Sequence, residues 1–123
     1  MNKMTITIWG RQFKLDISYK VFQNMSVTTL QTEAADRFAR IQSLNDSLEP
    51  VKKYVLEKDG QENGIKEIDN IFKYVMPVSV YIPQTKTRTV AILCNYKFDP
   101  EHGLAVVYTN EKFDHVDEEG MVL

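Results

Sequence analysis

The hydrophobic period of this chain changes twice, and that switch constrains the fold more than any other feature. Met4, Ile6 and Ile8 alternate with Thr5, Thr7 and Trp9, and Phe13, Leu15 and Ile17 alternate with Lys14 and Asp16. A period of two buries one face of a strand. Gly10-Arg11 lies between the two runs. Glycine in the first loop position suits a type II′ turn, which requires positive φ there. Residues 4–19 are therefore expected to form a hairpin.

The period then becomes helical. Leu30, Ala34, Phe38, Ile41 and Leu44 share one helix face, and Thr28 with Gln31 has capping-box spacing. Leu48, Val51, Val55 and Leu56 predict a second helix, with Pro50 tolerated in its first turn. Lys58-Asp59-Gly60 is expected to end it, with Gly60 as the left-handed stop, and residues 60–64 follow as a polar loop. Ile65, Ile68, Ile71, Phe72 and Val75 predict a short third helix terminated by Pro77.

Beyond Pro77 the period returns to two. Strands are expected over VSVYI (78–82), RTVAILCNYKF (88–98), LAVVYT (104–109) and KFDHV (112–116). The order β-β-α-α-α-β-β-β-β defines an α+β domain spanning 1–123. Its mostly antiparallel sheet is built from the N-terminal hairpin and the C-terminal meander. Two or three helices cover one face.

Composition removes several function classes. The 123 residues carry a net charge of −2, and no basic run is longer than Lys52-Lys53. Nucleic-acid binders usually show a concentrated basic footprint, so no such role is expected. The single cysteine, Cys94, cannot form an intrachain disulfide, which fits a reducing compartment. No apolar run approaches the roughly 20 residues of a membrane helix. The first residues lack a signal-peptide core. A cytoplasmic location without membrane attachment is expected.

Chemistry, if present, concentrates in DPEHG, residues 99–103. Most of this stretch follows from turn geometry. Pro100 presets the first loop position, Gly103 supplies a left-handed residue, and Asp99 accepts backbone amides. Only Glu101 and His102 are left without a backbone role, which makes them candidate binding residues. No metal site is expected. Zinc needs three or four ligands, and only His102, His115 and Cys94 are at hand. A turn at Asn110-Glu111 would pair Tyr108 with Phe113 and Val106 with His115, leaving the imidazoles roughly 13 Å apart at strand rise. Cys94 shares a strand face with Val90, Ile92 and Tyr96 and is expected to be a small buried hydrophobe. No serine has a motif context, Trp9 is expected at the rim of the core, and no nucleotide motif occurs, so neither catalytic residues nor a cofactor are expected. Asp114, Asp117, Glu118 and Glu119 make the C-terminal end acidic, and the last three are candidate contacts for a basic partner.

The stretch YKFDPEHGLAVVYTNEKF and the ending DEEGMVL resemble the C-terminal signature of an uncharacterised bacterial family of unknown function. WGR in the first hairpin and VYIP before the last strands extend the similarity over most of the chain. The resemblance implies an α+β fold, a bacterial origin, a setting near toxin–immunity loci and no particular activity. Together these readings lead to the expectation of a small non-enzymatic protein that binds another protein, as an adaptor or immunity-type partner. The competing expectation is a small-ligand-binding domain or a hydrolase with a pocket between sheet and helices. Self-association through a sheet edge is a third.

Overall fold

A computed structural model describes residues 2–22 and 25–123. Six strands form one sheet: β1 (Lys3–Ile8), β2 (Arg11–Tyr19), β3 (Val75–Ile82), β4 (Thr89–Tyr96), β5 (Leu104–Thr109) and β6 (Lys112–Asp117). They lie side by side in sequence order. Every neighbouring pair is antiparallel except β2 and β3, which are parallel. A parallel pair needs a long crossover, and residues 20–74 supply it. That crossover holds both helices, α1 (Thr29–Ala39) and α2 (Leu48–Val55). The fold is α+β, as the change of period predicts.

The main core lies between the helices and the sheet. It joins Ile6, Ile8, Val80, Ile92, Cys94, Leu104 and Val106 to Phe38, Val51 and Val55. On the opposite sheet face a smaller apolar cluster of Tyr81, Ala91, Leu93, Ala105 and Val107 is packed by Val122. The chain's last residues thus help close the outer face.

Several boundaries differ from those the sequence predicts. The first turn is Trp9-Gly10, not Gly10-Arg11: both have positive φ, 52° and 81°, and Ile8 pairs with Arg11. This is a type I′ geometry, which fits the strand twist. Trp9 tolerates its left-handed backbone because its ring is buried against Phe72. Helix α1 has the predicted capping box between Thr28 and Gln31 but ends at Ala39. The amides of Arg40 and Ile41 tighten onto Arg37 and Phe38, and the Leu44 amide bonds the Thr7 carbonyl on the edge of β1. Leu44 is buried as its spacing suggests, but from a loop.

Gly60 is not a left-handed stop. After α2 the chain widens into a π-helical turn, Leu56–Gly60, and positive φ falls on Gly64 instead. Gly60 is required by proximity: a Cβ there would lie 2.9 Å from the Ile65 carbonyl. The third helix shrinks to one 3-10 turn, Ile71–Lys73, capped by Asn70. Ile68 still reaches the core from irregular chain, and Ile71 from the 3-10 turn. Pro77 lies inside β3 rather than ending a helix. It is tolerated because β2 pairs only with Ser79–Ile82, so nothing needs the missing amide, and the β4 register shifts beside it.

Ser47 is the buried polar hub beneath the helices. Its Oγ accepts from Trp9 Nε1 at 2.9 Å and from the Tyr108 hydroxyl at 2.8 Å, and donates to the Leu44 carbonyl. A stranded buried donor costs about 1–3 kcal/mol. Ser47→Ala should therefore lower stability by about 2 kcal/mol or more, read as a shift in the urea midpoint at constant slope. Tyr108→Phe, which removes one of the two donors, should cost less.

Candidate functional site

The 99–103 turn joins β4 to β5 through backbone geometry set by two residues. The Asp99 carbonyl accepts the Gly103 amide at 2.9 Å, and Asp99 Oδ1 accepts the His102 amide at 3.3 Å. Gly103 has a φ of +66°. Pro100, Glu101 and His102 are exposed. His102 Nδ1 lies 2.9 Å from Asp99 Oδ1. This hydrogen bond raises the His102 pKa above its usual range and lowers that of Asp99. The Glu101 carboxylate makes no hydrogen bond or ion pair among the described residues.

The C-terminal tail closes over this turn. A Cβ on Gly103 would lie 2.5 Å from Glu119 Oε2 and 2.9 Å from the Cys94 carbonyl, so only glycine leaves room for the tail. Partial burial raises the Glu119 pKa. Asp117 Oδ1 caps the Glu118 amide at 2.8 Å. Glu118 Oε1 reaches back to Lys58 Nζ at 3.0 Å, and Lys58 also donates to the Tyr54 hydroxyl at 3.0 Å. Those bonds, Tyr54 first and Glu118 second, raise the Lys58 pKa. One residue on, Asp59 accepts a hydrogen bond from the Tyr96 hydroxyl. Burial, with Asp59 second, raises the Tyr96 pKa strongly.

The five residues singled out as candidate contacts thus belong to one corner at the end of the sheet. They have different roles there. Glu101 and His102 are displayed, Glu118 is tied to Lys58, and Asp117 and Glu119 are partly buried within the tail. Asp59, Asp99, Glu101, Asp117, Glu118 and Glu119 outnumber Lys58, Lys73, Lys97 and His102, so the corner is acidic on balance. Beside Pro100 a depression of about 400 Å³ is lined by three aromatic rings, Phe72, Tyr74 and Tyr96, and by Lys73 and Lys97. Tyr74 and Phe98 stack at 5.6 Å on its flank.

The thiol is sealed away. Cys94 is 1% exposed, and burial raises its thiol pKa. His115 does not face Val106. A bulge at Asp114 moves it opposite Val107, although Tyr108 pairs with Phe113 as expected. No group of three or more His, Cys, Asp or Glu among the described residues is placed to hold a metal. No described helix is long and apolar enough to cross a membrane. A concavity of about 620 Å³ lies away from the corner, between α1 and the β1–β2 hairpin.

A family model described as a domain of unknown function, DUF6985, matches residues 2–123. The chain belongs to the DUF6985 family. No curated protein and no solved structure gives a significant match.

Sequence reasoning missed half of this DUF6985 corner. Tyr54 and Lys58 have i,i+4 spacing, a legible signal for a paired helix face. It was hidden because the helix was expected to stop at Lys58. Asp59 and Tyr96 carry no local signal, since the π turn that joins them depends on packing.

Gly103→Ala should destabilise the domain by at least about 1–2 kcal/mol from left-handed backbone alone, with the clash against Glu119 added. His102→Ala should barely move the melting temperature. In an NMR titration His102 should protonate above the usual histidine range and return toward it in Asp99→Asn. Because its folded pKa is raised, its contribution is present at acid pH and fades as pH rises through the folded value.

Proposed function

We propose that this domain works without catalysis, as a bacterial cytoplasmic adaptor or immunity-type protein. In this reading it binds a basic protein surface at the DPEHG corner. The observation that supports it is the display of Glu101 and His102 on a rigid turn. That turn is flanked by acidic tail residues and an aromatic depression. Hot spots favour aromatic anchors next to charged complementarity, and charge sets orientation and association rate more than raw affinity. A non-enzymatic role is further supported by the sealed thiol.

The test is affinity purification from the native cell, comparing the wild-type chain with Glu101→Lys/His102→Ala. Both side chains are exposed, so the melting temperature should stay within about a degree. The partner retained by the wild type should bind the variant at least about tenfold more weakly, equivalent to about 1.4 kcal/mol. The difference should shrink as salt is raised. Recovery of a small molecule with no specific protein would replace this reading with the ligand-binding one.

A further inference from the structure

The register of the first hairpin determines which backbone groups of β1 are free. Ile8 pairs with Arg11 across a two-residue turn, so Ile8, Ile6 and Met4 exchange hydrogen bonds with β2. The Asn2 carbonyl continues the same series by accepting the Ile17 amide. The amides and carbonyls of Lys3, Thr5 and Thr7 therefore point away from the sheet. The Thr7 carbonyl takes the Leu44 amide at 2.9 Å. Among the described residues, Lys3 and Thr5 have no backbone partner on that side. The outer edge of β1 carries a ladder that begins at Leu44 and then stops.

A concavity of about 620 Å³ lies along the same edge. Its floor is Met4, Ile17 and Tyr19, and its wall is Ala35, Asp36 and Ala39 of α1. The alanines keep the wall low beside the strand. Asp36 is exposed and in no ion pair among the described residues, whereas Lys3 is neutralised by Asp16 at 2.9 Å on the outer face. The opposite sheet edge is different. β6 is bulged and carries Asp114 and Asp117, a common protection against strand addition.

We propose that the groove between β1 and α1 receives an extended peptide segment of another protein, which adds to the sheet as a seventh strand. The unfinished ladder at Thr5 and Lys3 supplies main-chain pairing, and such pairing is how exposed sheet edges take up peptides. Alternate side chains of the segment face α1, where a small apolar residue fits over Ala35 and Ala39 and a Lys or Arg meets Asp36. The open edge is short, about four residues or roughly 13 Å at strand rise. A second copy of this chain fits poorly. Self-pairing of β1 centred on Thr5 would place each copy's Leu44 loop, already on Thr7, against the other copy's Lys3.

The test starts with hydrogen exchange on the free protein. The Thr5 amide should exchange quickly while that of Ile6 is protected. Random nine-residue peptides displayed on phage are then selected against the full chain. The selected sequences should share an alternating apolar pattern with one Lys or Arg. A synthetic consensus peptide should slow Thr5 exchange at least tenfold. Ala39→Arg, an exposed helix position, should fill the groove and reduce peptide binding at least tenfold without lowering the melting temperature. Asp36→Lys should remove the preference for a basic residue. Glu101→Lys, at the distant corner, should leave peptide binding unchanged, which separates this site from the proposed partner site. The inference is overturned if Thr5 is protected in the free protein or if no peptide is selected. It is equally overturned if Ala39→Arg leaves binding intact, or if the chain is a dimer that Ala39→Arg dissociates.

Discussion

The parallel pairing of β2 with β3 is the constraint from which the other features follow. Two adjacent parallel strands cannot be joined by a turn, so residues 20–74 must leave the sheet and return on one face. One buried amide fixes the place where that excursion begins. Gln31 Oε1 closes the capping box on the Thr28 amide, while its Nε2 donates to the carbonyls of Lys20 and Ile82 at 2.8 and 3.1 Å. Lys20 follows β2 and Ile82 ends β3. The start of α1 is thereby tied to the ends of both parallel strands through a side chain only 2% exposed. The Lys20 amide adds a direct bond to the Ile82 carbonyl. With α1 anchored there, its far half runs beside β1 and forms the wall of the groove.

At the other end of the crossover the π turn has a comparable effect. An ordinary α-helical exit would leave Lys58 and Asp59 with different directions. Widening the last turn lets Asp59 meet Tyr96 in the sheet while Lys58 meets Glu118 in the tail. Single π turns are often found where a helix must present side chains off its regular register. The corner is therefore tied to the core on one side and to the chain's last residues on the other, with the DPEHG turn held between them.

Legibility of the sequence followed the range of the forces involved. Strand alternation and the Thr28–Gln31 box are local, and both are recovered in the structure. So is the six-strand α+β architecture. The failures share a tertiary cause. Ile65, Ile68 and Ile71 have helical spacing because each meets the core, yet irregular chain with one tight turn satisfies the same burial. Gly60 is read as the left-handed residue in place of Gly64 because close packing and positive φ look alike in a sequence. The His115 register slipped by a bulge that no local residue pattern marks. The corner was half visible: its exposed turn had a chemical signature, but Asp59 and Tyr96 meet only after the fold exists.

Cys94 has a practical consequence of a different kind. The protein's lone thiol sits in the middle of a six-stranded sheet, 1% exposed, and burial disfavours its reactive thiolate. Maleimide chemistry should therefore pass the native chain by. A cysteine introduced at an exposed site becomes a unique handle without first deleting the natural one. Probes at the rim of the groove and at the tip of the DPEHG turn can then report on each surface separately, in a background whose core is left intact.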